Sequence, residues 1–336
     1  VTCNRQPVTP APSTNPHPPS PVPMPETVLR NSLLSLVTVG ALLSCASGAP
    51  EEEVPAGAGM PSRSAKAPPV RPGITVLMRD SLSLLAGKRV GLLTNQTGVN
   101  EKGVSDADLL MGAVNDPRVK GMRLTVLFSP EHGIRGLEDR AHIADGIDAA
   151  TGLPVISLYG DNVLPPPDSA LDKVDALVID LQDIGARPWT YVATMVYAVR
   201  AAGQHKIPVL VLDRPNPIGG DAVEGPGLQP AMQSFVGAFD VPTRHGLTLG
   251  ELLVHHARVK RLEGSLEVVP LRGWRREMSF EETGLPWVPP SPNMPTLDTA
   301  YVYPGACLLE ATNLSEGRGT TRPFEWIGAP FLKGDA

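Results

Sequence analysis

Five short apolar runs punctuate the middle of the chain: Arg89–Leu93, Leu124–Phe128, Pro154–Leu158, Asp175–Asp180 and Pro208–Leu212. Each is five or six residues long and closes on polar residues, Gly or Pro, the pattern of a buried strand. They are nearly continuous in apolar character, as strands covered on both faces of a parallel sheet must be. Helical signals fall between them. Asp80–Ala86 reads as a short helix. Ser105 is placed to cap a helix through Leu109, Leu110 and Val114. After Arg187, the residues Tyr191, Met195, Ala198 and Ala202 share one helix face, with Gly203 as the expected stop. Strands alternating with helices predict a doubly wound α/β domain over residues 73–225. Strand order does not follow from the pattern.

Beyond Gly225 the pattern loosens. Thr248–Val259 reads as a helix and Leu266–Leu271 as a strand. The remainder reads as Pro- and aromatic-rich loop around Trp274, Trp287, Pro289, Pro290, Pro292 and Pro295. A second, smaller α+β domain is expected over 226–336. It is expected to be incomplete, because Phe331–Ala336 brings no closing element.

The first 72 residues have another character. Eight of the first 23 are Pro, a composition that cannot bury a core, so residues 1–23 are expected to be a disordered extension, upstream of the true start if that is Met24. Residues 24–45 fit a secretory leader: Arg30, an apolar run from Leu33 to Leu43, then Leu42-Leu43-Ser44-Cys45, which resembles a lipobox. The run is shorter than the roughly 20 residues a membrane span needs. Cys45 is therefore the expected lipidation site. Residues 46–72, rich in Ala, Gly, Pro, Ser and Glu, are the expected tether of an exported, membrane-anchored lipoprotein.

Composition narrows the function. A hydrophobic content of 42% supports a core, and a net charge of −6 without a long basic run argues against a nucleic-acid partner. Three cysteines, of which Cys307 stands alone in the folded part, build no disulfide framework or thiolate metal site. There is no G-x-G-x-x-G, no Walker loop and no G-x-S-x-G elbow. His132 and His142 lack zinc-protease spacing, so no metal or cofactor is expected. His255 and His256, adjacent on a helix, read as a solvated face. No signal bears on oligomeric state.

What remains is a set of polar loops at strand ends. They offer Asn95; Glu131 with His132 and Arg135; Asp180 and Asp183 with Arg187; and Asp213 and Arg214 with Asn216, with Glu224 just beyond. In a parallel sheet such loops converge on one edge, where open α/β folds bind ligands. Carboxylates crowded there can divide into one protonated and one ionised group, the equipment for acetal cleavage. Asp180 and Asp183 have an equally simple reading as a helix cap or as partners of Arg187. The later segment adds Arg244 and His245, Asn293 held between prolines, Glu316 and Arg318 in a Gly-rich loop, and Tyr301 and Tyr303 as possible sugar-stacking rings.

Seven blocks in one order carry a resemblance: GLLTNQTG (91–98), FSPEHGIRG (128–136), DLQDIGAR (180–187), DRPNPIGG (213–220), RHGLTxGE (244–251), SPNMP (291–295) and EATNLSEGRGT (310–320). Together, from about Arg71 onward, they resemble the NamZ-type exo-β-N-acetylmuramidases, a family long labelled a domain of unknown function. The resemblance implies a Rossmann-like domain and a smaller C-terminal domain with a cleft between them. It also implies release of N-acetylmuramic acid from the non-reducing end of peptidoglycan fragments in cell-wall turnover, without a cofactor. It puts the family's catalytic glutamate at Glu131, with His132 to orient it. The second carboxylate is expected among Glu316, Glu224 and Asp183, unless the substrate's acetamido group serves instead. The other loop residues are expected to line the cleft, and Arg135, Arg187, Arg214, Arg244 and Arg318 are the candidates to grip a lactyl carboxylate. The alternative is a non-catalytic lipoprotein that binds muropeptides.

Overall fold

The computed structural model describes residues 70–136, 138–139, 142–160, 164–262 and 264–333. The extension over 1–23, the leader, Cys45 and the expected tether up to residue 69 lie outside them; the tether's last three residues do not, and there Val70 is buried and Arg71 exchanges backbone hydrogen bonds with Arg272. Seven strands form one sheet: β1 (Arg89–Thr94), β2 (Arg123–Ser129), β3 (Gly146–Ile147), β4 (Pro154–Ser157), β5 (Ala176–Asp180), β6 (Val209–Leu212) and β7 (Leu266–Val269). The helices are α1 (Gly73–Val76), α2 (Asp106–Gly112), α3 (Asp168–Leu171), α4 (Thr190–Gln204), α5 (Leu249–Lys260) and α6 (Leu297–Ala306). The sheet order is β3-β4-β2-β1-β5-β6-β7, parallel throughout except for β3, which runs antiparallel to β4 at the edge. From β1 the chain winds outward first through β2 and β4, then through β5, β6 and β7. This is the reversal of a doubly wound α/β fold.

The continuous apolar runs now have their reason. In β5, Leu177 and Ile179 face one core and Val178 the other; in β6, Val209 and Val211 oppose Leu210 and Leu212 in the same way. A strand buried on both sides has no polar face to show. One core packs α4 and α5 against the sheet, with Met294, Ala300, Tyr303 and Phe324 from the C-terminal segment. The other packs α1, α2 and Leu77–Leu85 against the opposite face. β2 breaks strict alternation at Thr125. Val90 pairs with Leu124 but Gly91 with Val126, a bulge that sends Leu124 and Val126 to opposite cores.

Several elements differ from expectation. Gly203 does not stop α4, which runs on to Gln204; the turn comes at His205 and the left-handed Lys206. The expected helix at Asp80–Ala86 is a π turn over Leu77–Ser81 followed by a 3₁₀ turn over Leu82–Leu85. α6 forms where loop was expected, with Thr296 as N-cap accepting from Thr299 N and Pro304 tolerated near its end. β3 is a two-residue edge strand with no sequence signal of its own. β7, drawn from the segment after Gly225, extends the sheet beside β6.

Candidate active site

The strand ends are level. Thr94 of β1 lies opposite Asp180 of β5, Leu93 opposite Phe128, and Ser129 of β2 opposite Ser157 of β4. The loops that leave this edge therefore meet, but they do not all meet a cleft. Much of the polar chemistry is turned inward. Asp180, fully buried, receives two hydrogen bonds from Arg214, which also donates to Val99 O at 2.9 Å. Asp183 lies 3.2 Å from His245 Nε2 and accepts from Gly185 N. His245 Nδ1 accepts from Leu247 N, so in the neutral ring Nε2 carries the proton and faces Asp183. Asp213 accepts from Gly250 N, Thr248 Oγ1 and Arg214 N, at the start of α5. Asn216 donates to Leu247 O and accepts from Ile218 N. Asn95 accepts from Thr97 N and Thr97 Oγ1.

Burial tunes this edge. It pushes the Asp213 carboxyl up to about 6, against the three hydrogen bonds that favour the charged form. Asp106, at the first residue of α2 and bound by Thr94 Oγ1 at 2.5 Å, is raised well above the carboxylate range by burial and by the neighbouring charge of Asp180. Asp180 is raised too, by burial that outweighs Arg214. One guanidinium thus serves two buried carboxyl groups, and Asp106 was not among the residues expected here.

Three expected cleft arginines are engaged elsewhere. Arg135 is paired with Asp148, Arg187 donates to Pro226 O and Val241 O, and Arg244 bonds Glu224 and Ile218 O. Glu224 itself is largely exposed.

A cleft of about 240 Å³ opens beside this edge, over the ends of β2 and β4. Glu131, His132, Asn293 and Arg318 line it, together with residues that were not singled out as site residues: Tyr159, Trp189, Thr190, Phe235, Glu310 and Phe324. Of the two candidate stacking tyrosines, Tyr303 lines the cleft, while Tyr301 stands 43% exposed outside its lining. Glu131 sits just past β2, and Thr190 Oγ1, at the first residue of α4, donates to its Oε2 at 2.5 Å. Tyr159, leaving β4, bonds the same carboxylate. Burial first, and then Glu131, holds its phenol protonated well above the usual range.

His132 and Gly133 are both left-handed, with φ of 70° and 74°. That pair of residues turns the chain sharply after Glu131. His132 Nδ1 lies 2.7 Å from Glu138 O, and a carbonyl only accepts, so Nδ1 carries the proton. In the neutral ring the other nitrogen is then a lone pair.

The far wall is aromatic and basic. Tyr303 meets Trp189 and Phe324 edge to face at centroid distances of 5.8 and 4.8 Å. The Arg318 guanidinium lies 5.2 Å from the Phe324 ring and pairs with Glu310 at 3.0 Å and Glu316 at 2.9 Å. Burial lowers its pKa, but the two carboxylates outweigh that and leave it raised. The carboxylate that joins Glu131 in the lining is Glu310; Glu316 supports Arg318 from behind, and Asp183 is buried with His245. Asn293 donates to Asp139 Oδ2 at 3.0 Å. Apolar rings beside a few charged groups suit one sugar ring with an acidic substituent.

Known proteins carry the same pattern as the seven blocks. A family model described as exo-β-N-acetylmuramidase NamZ, N-terminal, matches residues 90–298, and its C-terminal counterpart matches 301–336. The peptidoglycan β-N-acetylmuramidase NamZ of Bacillus subtilis (strain 168) is 48% identical over 273 residues, covering 81% of this chain and 64% of that protein. The chain thus spans about two thirds of the length of its curated relative. Two crystal structures of DUF1343 family proteins from Bacteroides fragilis NCTC 9343 superpose with TM-scores of 0.72 and 0.66, at 40% and 34% identity. Each covers 79% of this chain, which in turn covers 67% and 68% of them. With both family models matched in order, and with Glu131 at the cleft, the chain belongs to the NamZ exo-β-N-acetylmuramidase family.

Proposed function

We propose that the protein is a glycosidase that releases N-acetylmuramic acid from the non-reducing end of peptidoglycan fragments. The observation that carries this reading is the setting of Glu131, in a family block and in an aromatic-walled cleft, with hydroxyl donors on its carboxylate. Glu131 protonates the glycosidic oxygen as the bond to the anomeric carbon breaks, then takes a proton from the incoming water. Tyr159 and Thr190 hold it in place. Arg318 binds the lactyl carboxylate of the sugar, Asn293 its acetamido group, and Trp189, Tyr303 and Phe324 its apolar face. Glu310 is tied to Arg318, so its charge balances the guanidinium, and the substrate's acetamido oxygen serves as the nucleophile.

Replacing Glu131 by Gln tests the reading. Turnover of a chromogenic β-N-acetylmuramide is expected to fall by about 100- to 10,000-fold with the thermal unfolding curve unchanged. Near-normal rates would overturn it.

We also propose that the protein is exported and anchored through Cys45. The support is the apolar run that ends at the lipobox-like Leu42–Cys45. Palmitate labelling should be lost in Cys45→Ala; labelling that persists would refute the anchor.

A further inference from the structure

A second cavity, of about 250 Å³, lies on the other side of the turn that carries Phe235 and Val236. Its polar lining is Tyr197 and Arg200 from α4, Lys260 from the end of α5, and Gln233 and Ser234 from the turn itself. Each of these side chains offers a hydrogen-bond donor and two carry positive charge. No carboxylate is part of the lining. Among the described residues neither Arg200 nor Lys260 has an ion-pair partner, in a chain whose net charge is −6.

His256 forms the support behind. It was expected on a solvated face, yet it is buried, packed edge to face on Phe239 at 4.5 Å, while His255 stays exposed. Burial, and then Arg200 and Lys260, push its pKa down to about 4, so the ring is neutral at ordinary pH. Its Nε2 lies 3.4 Å from Arg200 Nη2 and braces the guanidinium at the cavity wall. With a neutral ring behind Arg200, no ion pair on either cation among the described residues and no carboxylate in the lining, the cavity attracts an anion.

We propose that this cavity is a second binding site, for an oxyanion borne on a sugar-sized body. A phosphate monoester and a carboxylate share the chemistry the lining selects. The volume matches that of the neighbouring cleft, so a bare ion does not fill it. The turn links the two. Ser234 and Gly237 exchange backbone hydrogen bonds in both directions, so Gln233 and Ser234 on one side move with Phe235 and Val236 on the other. An occupant that grips Gln233 and Ser234 also fixes the Phe235 wall of the cleft.

Titration calorimetry on the full chain tests the site independently of any activity. The probes are inorganic phosphate, glucose 6-phosphate and tricarballylate. Glucose 6-phosphate or tricarballylate is expected to bind one to one, more tightly than inorganic phosphate, and whichever wins identifies the source of the oxyanion. The R200Q/K260Q variant should weaken that binding at least 10-fold, while E131Q, altered only in the cleft, should bind as the parent does. If the double variant fails to fold, K260Q alone, at an exposed helix end, should still weaken binding several-fold. The proposal is overturned by an absence of saturable binding up to about 10 mM, ten times weaker than a millimolar site. It is equally overturned by undiminished binding in the cation variants, or by loss of binding in E131Q. Failure of E131Q to lose turnover would count against the glycosidase reading alone.

Discussion

His132 holds a conformation that most side chains avoid. A left-handed residue other than Gly costs roughly 1–2 kcal/mol, and such strain gathers where function needs a fixed geometry. The strained turn directs Glu131 toward Tyr159 and Thr190. His132→Gly relieves that strain but also removes the buried ring and its bond to Glu138 O, so in urea melts it is expected to be about 1 kcal/mol more stable than His132→Ala, while turnover falls because the imidazole is gone. His132→Ala should lose turnover as well, and stability with it. A glycine variant of full activity would remove His132 from the site. That Glu131 and His132 stand at the cleft was anticipated by the charged loop after an apolar strand together with the family block it belongs to; the loop alone reads equally well as a solvated turn. The choice of Glu310 over Glu316 was not: in a Gly-rich coil no periodicity tells which of two nearby carboxylates faces the cleft and which stands behind Arg318.

At the scale of elements, α5 shows how a local signal and a buried charge combine. Thr248 and Glu251 close a reciprocal capping box, and the Thr248 hydroxyl also donates to Asp213. Thr248→Ala removes both contacts and is expected to cost about 1–2 kcal/mol by chemical denaturation. Asp213 adds a pH dependence. Its folded pKa, about 6, lies above the unfolded value near 3.9, so between pH 4 and 6 the native state keeps a proton that the unfolded chain has released. Stability therefore falls as pH rises through that window, by roughly 3 kcal/mol, and levels off above it. Asp213→Asn should lack this decline when urea midpoints are compared at pH 4 and pH 6.5; an identical slope in both proteins would rule Asp213 out as its source. The helix from Thr248 onward was legible in the sequence; the box that starts it emerged from the structure. α6 was hidden because Pro304 and Gly305 sit inside its ten residues, and β3 because two residues carry no period.

At the scale of the molecule, the site lies off the point where the strand order reverses. Between β1 and β5, where doubly wound folds commonly bind ligands, only about 10 Å³ remains open, because Phe280 and Leu285–Val288 pack against Thr97, Gln182 and Arg214. The strand-end polar residues at that point spend their hydrogen bonds on one another and on this segment. That is why sequence position alone put too many of them in the cleft: a strand end sets the edge a residue occupies, and tertiary packing sets whether it meets ligand or chain. Two donors pin the segment down, Gln96 to Pro289 O at 2.9 Å and the buried Tyr191 hydroxyl to Pro290 O. Immediately beyond come Ser291 and Asn293, which line the cleft. Tyr191→Phe leaves the buried Pro290 carbonyl without this donor, for an expected loss of about 1–3 kcal/mol. Gln96→Ala, at the more exposed contact, should cost less than 1 kcal/mol. Because both anchors act by placing Asn293, which holds the acetamido group that supplies the nucleophile, each should lower kcat/KM for a β-N-acetylmuramide several-fold. An unchanged kcat/KM in both variants would mean that the segment does not place Asn293 for the reaction.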